Sequence, residues 1–292
     1  MPSRRAASSR PSVVPGVVQV ALSTSAVYPQ SIDESFRLAA ELGYDGLEIM
    51  VWTDPLSQDG DAIAALSLEY GVPVLAVHAP TLLITQRVWG KAPWNKITGA
   101  VELAQRLGAD TVVAHPPFRW QREYADEFVA GVRDLTSSTG VAVAVENMYP
   151  WRVGNREIPA YLPDWDPSDE DYDHVCLDLS HTATAGSDAM EMARRLTAAG
   201  RLRHLHLCDG TSSAKDEHLV PGRGEQPCEE VLGVLTGSGW SGTVVLEVNT
   251  RKCRTLAERE LDLTESLAFA RRHLSTGPGP GRVRSRRAPD SS

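Results

Sequence analysis

Cysteine is scarce in this chain. Cys176, Cys208, Cys228 and Cys253 show no C-x-x-C spacing, which removes the cysteine-based metal and redox motifs and leaves buried, reduced thiols as the expectation. No uncharged apolar stretch approaches the ~20 residues that span a bilayer, and the arginine-bearing start has no run of signal-peptide length. A cytoplasmic protein without a membrane partner is expected. No G-x-G-x-x-G follows the first strand-like segment, which argues against an open dinucleotide-binding sheet. Both ends lack the apolar content to pack, so residues 1–15 and 275–292, rich in Arg, Ser, Pro and Gly, read as disordered basic tails around one domain, 16–274.

Positive charge is also in short supply. The formal net charge is −9, and each tail carries +3, so the body between them holds about −15. Such a body disfavours nonspecific contact with phosphate backbones, although bound divalent cations would cancel several of those charges where they matter. The composition therefore weighs against nucleic acid without excluding it.

What is present is a repeat. A helix-like segment ends in Gly, one or two residues follow, and then comes a short Val, Leu, Ile or Ala run, as in LGYDGLEIMV (42–51), YGVPVLAVH (70–78), LGADTVVAH (107–115), TGVAVAVEN (139–147) and GWSGTVVLEV (239–248). Glycine tolerates the left-handed turn that ends a helix, and a continuous apolar run suits a strand covered on both faces. With VVQVALS (17–23), HVCLDLS (174–180) and RHLHLCD (203–209) the strands number about eight. Helices are expected from a capping-box sequence at Ser31 to Gly43, then over 61–70, 92–107, 121–138, 187–199, 227–236 and 254–274. The proline-rich connection from Tyr149 to Tyr172 reads as mostly loop. Eight such units make an α/β chain folded as a single (β/α)8 barrel of the TIM type.

In a parallel barrel the C-terminal ends of all strands converge on one face. Those ends carry Glu48, His78, His115, Glu146, Asp178 with His181, His206 and Glu247, and the loop after His206 adds Asp216 and His218. Each residue alone has a plain explanation as a hydrogen-bonded core or rim group, and Asp209 before Gly210 suits a turn. Seven of eight strands delivering a ligand-type side chain at the same end is another matter. Clustered carboxylates are costly to bury, whereas divalent cations turn them into a cage, and Glu146, Asp178, His206 and Glu247 form the candidate metal core. Glu48 stays outside that set, as a substrate contact or a buried structural acid. Trp52, Trp89, Trp94, Trp120 and Trp151 fall in the loops of the same face, where they would line a small pocket or simply pack those loops.

From about Val17 to Leu274, the motifs VHAP, HP at His115, VEN at Glu146, CLDLSH, HLHLCD and DEHLVPGRGE together resemble the xylose isomerase-like barrel superfamily. That superfamily holds sugar phosphate isomerases and epimerases as well as endonuclease IV-type repair enzymes. In its isomerase branch, the resemblance implies one Mn2+, Mg2+, Co2+ or Zn2+ held by Glu146, Asp178, His206 and Glu247. Glu146 and Glu247 would then exchange protons with a small sugar or sugar phosphate through a metal-stabilised enediolate, and His181 would touch substrate. In the endonuclease branch, His78, His115, Glu146, Asp178, His181, His206, Asp216, His218 and Glu247 match the ligands of up to three Zn2+ acting on abasic DNA. Cys208 replaces the asparagine expected there, LEVNTR departs from the nuclease pattern, and no DNA-inserting segments follow the second and third strands. The isomerase or epimerase reading leads, with the endonuclease as the alternative and a non-catalytic metabolite-binding barrel behind both. Trp52 and Arg223 complete the substrate contacts expected, Arg223 being either an anion contact or a solvated loop residue. The oligomeric state is left open.

Overall fold

The computed structural model describes residues 17–153 and 156–275. The expected tails lie outside the described residues, apart from Ser275, which ends the last helix. Eight parallel strands close into a barrel. In chain order they are β1 (Gln19–Ser23), β2 (Gly46–Met50), β3 (Val74–His78), β4 (Thr111–Ala114), β5 (Ala142–Glu146), β8 (Val175–Asp178), β9 (Leu202–Leu207) and β10 (Thr243–Leu246). Closure comes from β1, which pairs in parallel with both β10 and β2. The strands are almost wholly buried, as the uninterrupted apolar runs required.

Helices α1 (Ile32–Leu42), α2 (Gly60–Tyr70), α3 (Trp94–Leu107), α4 (Arg122–Thr139), α6 (Ala189–Ala198), α7 (Cys228–Ser238) and α8 (Leu256–Ser275) fall where the periodicity placed them. The stop signals act as read: α1 ends at Gly43 with φ 84° and α3 at Gly108 with φ 78°. At the start of α1 the capping box is half made. Ser31 Oγ accepts from the Glu34 amide at 3.4 Å, but the Glu34 carboxylate pairs with Arg37 instead of reaching back.

Two elements were not legible. Residues expected to continue the sixth strand turn into α5 (Leu179–Ala185), because Asp178 caps it, its Oδ1 accepting from the His181 amide at 2.7 Å. The connection expected as loop contains an antiparallel hairpin, β6 (Trp151–Val153) with β7 (Arg156–Ile158).

Period-two alternation sets up the site. Along β9, Leu205 and Leu207 join the main core while His204 and His206 take the other face. Inside the barrel, Val113, Ala144 and Cys176 form one apolar cluster and Ala21, Leu75 and Val245 another. Glu146, Asp178 and Glu247 follow Ala144, Cys176 and Val245 by two residues, so they stand on the same face one step nearer the mouth.

Packing behind the barrel is tight enough to override local preference. A Cβ built on Gly131, within α4, would lie 2.1 Å from the indole of Trp94. Helix propensity alone predicts that Gly131→Ala stabilises by about 1 kcal/mol. Overpacking costs about 1–3 kcal/mol, so the expected outcome is net destabilisation and a lower urea midpoint. A raised midpoint would show that Trp94 is free to move away.

Candidate metal centre

The strand ends and the loops that follow them bring eight ionisable groups to a cavity of about 630 Å3 at the barrel mouth: His78, His115, Glu146, His181, Asp216, His218 and Glu247 line it, with Asp178 buried beneath. Three carboxylates converge on one nitrogen. His206 Nδ1 lies 2.8 Å from Glu146 Oε1, 3.0 Å from Glu247 Oε2 and 3.4 Å from Asp178 Oδ2. A single N–H can point at only one of them. The four ligand atoms lie within 4.8 Å of one another, and a divalent cation among them would satisfy all three acids at once. The donor set therefore fits such an ion.

The other oxygens of the acids are also held. Glu146 Oε2 takes contacts from His78 Nε2 at 3.1 Å and His115 Nε2 at 3.0 Å. Ser25 Oγ donates to Glu247 Oε1 at 3.1 Å. Asn147 bridges β5 and β8, accepting from the Asp178 amide at 2.6 Å and donating to the Asp178 carbonyl at 3.0 Å.

Backbone carbonyls aim three of the histidines. His78 Nδ1 donates to Ala79 O at 3.0 Å, His181 Nδ1 to Asn147 O at 2.8 Å and His218 Nδ1 to Glu247 O at 2.7 Å. Each then turns Nε2 toward a carboxylate, His78 to Glu146 and the other two to Asp216, at 3.4 Å from His181 and 3.1 Å from His218. His115 Nδ1 is buried without a hydrogen-bond partner. Four further donor groups share residues with the core. Two bring in cavity-lining histidines, His78, His115 and Glu146, and Asp178, His181 and His218; two lie around His206, Glu48, His204 and His206, and Glu146, Cys176 and His206.

Asp216 and His218 reach the site through a clamp. The Asp209 carboxylate accepts from the amides of Gly210 at 2.8 Å and of Gly222, Gly224 and Gln226 at 2.9 Å, closing the loop on itself. A Cβ at Gly224 would sit 2.3 Å from Asp209 Oδ1, so the Gly-x-Gly spacing serves this clamp. Ser180, carried on α5, donates to Asp216 Oδ1 at 2.7 Å and accepts from the Glu217 and His218 amides. His218 holds φ at 45°, a strained value for a side chain with a Cβ.

The charges are tightly interdependent. Burial pushes the Glu146 carboxyl up, but the His206 and His181 charges and hydrogen bonds from His115 and His206 outweigh it and hold it well below the usual range. Burial likewise opposes, and His218 and His181 overcome, in placing Asp216 well below its usual value. His181 is pushed down by burial yet carried up to about 10 by Asp178, Asp216 and Glu146. Against burial, His206 rises well above its usual value through Cys176, Glu48, Glu247 and Glu146, and His218 through Asp216, Cys208 and Asp178, whereas burial wins at His115 and lowers it. The acids thus hold positive charge on the neighbouring histidines.

Several expected contacts are placed elsewhere. Arg223 does not reach the cavity: its guanidinium pairs with Asp262 at 2.8 Å and Glu265 at 2.5 Å on α8. Glu48 is fully buried beside His206 and is not among the residues that line the cavity. Of the five loop tryptophans, Trp52 alone lines the cavity; Trp94 is part of α3 and packs on Phe128 and Tyr124, while Trp89 covers Gly99. Trp120 and Trp151 gather around Phe118. Conversely, Ser25, Asn147, Ser180, Tyr28 and Arg251 were missed. Only Asn147 and Ser180 had a signal, as immediate neighbours of Glu146 and His181. Arg251 is the one Lys or Arg lining the cavity among the described residues, stacked 4.5 Å over the Tyr28 ring.

A family model described as xylose isomerase-like TIM barrel matches residues 36–273. The uncharacterized protein Rv0498 of Mycobacterium tuberculosis is 52% identical over 276 residues, spanning 88% of this chain and 98% of that protein. Fructoselysine 3-epimerase of Shigella flexneri is 24% identical over 243 residues, 75% of this chain and 86% of its own. Among solved structures, the IOLI protein with a binding zinc atom aligns at a TM-score of 0.64 and 18% identity, covering 89% of this chain and 100% of that one. The closed barrel and the family match over most of its length lead to one conclusion: the chain belongs to the xylose isomerase-like TIM barrel family.

Proposed function

We propose that the protein is a divalent-cation-dependent isomerase or epimerase of a small sugar or sugar phosphate. The observation that carries this reading is the convergence of Glu146, Asp178 and Glu247 on His206 Nδ1, with Glu146 and Glu247 also lining the cavity. The epimerase among the relatives and the zinc in the IOLI structure support it. A divalent cation bound by these four residues supplies Lewis acidity, polarising a substrate carbonyl and acidifying the neighbouring C–H.

The chain's own groups then move the proton. Glu247 is the better placed base, because Ser25 engages one of its oxygens whereas Glu146 has one oxygen occupied by two histidines. In this mechanism Glu247, as the carboxylate, takes the proton and the C–H electron pair passes into an enediolate. Glu146, which must enter the step as the carboxylic acid, gives its proton back; an isomerisation also needs the adjacent hydroxyl proton to pass to the former carbonyl oxygen. Return to the opposite face of the same carbon epimerises; return to the adjacent carbon isomerises. His181, fixed through its Nδ1 by Asn147 O, lines the cavity with Nε2 toward Asp216, and a substrate hydroxyl reaches that nitrogen by taking the place of this contact. Trp52 and Tyr28, 6.4 Å apart, form a wall that suits the C–H face of a sugar and limits water at the reacting carbon.

A second reading has one observation in its favour. The two donor groups that bring in cavity-lining histidines match what a three-zinc phosphodiesterase would use. Against it stand the acidic net charge of −9 and a cavity with Arg251 as its only Lys or Arg among the described residues.

Elemental analysis of protein purified without chelator or histidine tag is expected to find about one divalent ion per chain, and stripping with a chelator should abolish turnover until Mn2+, Mg2+, Co2+ or Zn2+ is restored. Close to three zinc ions per chain, with cleavage of abasic DNA, would transfer the conclusion to hydrolysis. Proton exchange is checked separately. Ketoses and their phosphates incubated in D2O should gain deuterium beside the carbonyl, and Glu247→Gln should slow that gain by about 10²–10⁴-fold. A protein that binds a ketose without any exchange would be a binding module, and the catalytic assignment would fall.

A further inference from the structure

One layer below the cluster lies a polar pair that the proposed chemistry does not use. Glu48 and His204 are both completely buried, and His204 Nε2 donates to Glu48 Oε2 at 2.9 Å. The same carboxylate faces the other side of His206, whose Nε2 lies 3.3 Å from Oε1 and 3.4 Å from Oε2. His204 Nδ1 is buried with no hydrogen-bond partner. A buried acid and an orphaned imidazole nitrogen both cost stability, and apolar side chains of similar size would remove both costs. Two register irregularities of the barrel fall beside the pair. Pairing of β2 with β3 shifts register at Glu48, and pairing of β8 with β9 shifts at Cys176, which lies opposite His204. Such irregularities re-aim side chains.

His206 is turned the other way round from His78, His115, His181 and His218, each of which directs Nε2 to a carboxylate of the mouth. His78, His181 and His218 are each oriented by a backbone carbonyl on Nδ1 and turn Nε2 toward a carboxylate. His206 is reversed, with Nδ1 toward the three carboxylates and Nε2 toward Glu48. We propose that Glu48 is a positioning residue for His206. It receives the Nε2–H, so that Nδ1 offers its lone pair to the space shared with Glu146, Asp178 and Glu247. His204, through its own Nε2–H, holds the Glu48 carboxylate in that orientation. The inference rests on reading that space as a cation site, and partners of this kind are worth about 10–100-fold in metal affinity.

The test is an equilibrium titration of chelator-stripped protein with Zn2+ against a competing chromophoric chelator. Glu48→Gln, which keeps the shape, and Glu48→Leu, which removes both acceptors, are compared with the unaltered chain, with folding checked by circular dichroism. Weakening of Zn2+ affinity by about tenfold or more for Glu48→Leu is expected, without a lower melting temperature of the stripped protein. A structural role alone would give the reverse: a lower melting temperature and affinity within about threefold. In the unaltered Zn2+-loaded protein, 15N spectra of labelled histidine should place the His206 proton on Nε2, and a proton on Nδ1 overturns the proposal whatever the variants do. Unchanged affinity in both variants would sink the positioning role and leave the cation site standing. Failure of the unaltered protein to bind Zn2+ overturns both.

Discussion

Three carboxylates within 3.4 Å of one nitrogen are the constraint on which the rest of the mouth depends. Two like charges about 4 Å apart repel by about 4 kcal/mol at an effective dielectric of about 20. Three such pairs approach the whole stability of an ordinary domain, about 5–15 kcal/mol. The arrangement is tolerable only with positive charge inside it. Without an ion, protons drawn onto His206, His181 and His218 provide that charge, and this is why those imidazoles are shifted upward. The clamps around the site make sense on the same terms. Asn147 across β5 and β8, Ser25 on Glu247, Ser180 under Asp216 and the Asp209 loop closure each hold a group that would otherwise swing away from its like-charged neighbours.

Much of this was legible because parallel strands simplify the problem. A helix stop, an apolar run and a polar residue at the run's end identify both the strand and the face its terminus occupies, so Glu146, Asp178, His206 and Glu247 could be grouped without knowing any distance. What failed to show was anything set by loops or by depth. Arg223 between two glycines looked available to an anion, but its partners Asp262 and Glu265 sit far along the chain on α8. Ser25 had no pattern to mark it, since a short turn after β1 is all that brings its hydroxyl to Glu247. Glu48 was visible as an acid near a strand end, yet position within a run does not say how far below the mouth it lies. The five tryptophans misled for a related reason. Large aromatics in loops face either the cavity or the helices beneath, and Trp94 and Trp89 take the second course.

The nine residues of the nuclease-like pattern also have roles in the proposed one-cation site. His78 and His115 both address Glu146 Oε2, and His181 and His218 both address Asp216. In a one-ion site these contacts hold the two carboxylates in place, Glu146 as ligand and Asp216 as the partner that orients His181. With further ions they would be ligands themselves. The donor positions do not differ between the two cases, so the identity of the residues is compatible with either chemistry. The surroundings favour the proposed reading. Around the acidic floor stand Tyr28, Trp52, Met50, Leu82 and Tyr161, with Arg251 the one guanidinium among the described residues, in a cavity of about 630 Å3. A phosphate backbone needs a track of positive charge along its length, and this wall offers one such group. A small polyol needs oxygen-binding groups at one end and apolar surface for its C–H faces, and the wall and floor supply both.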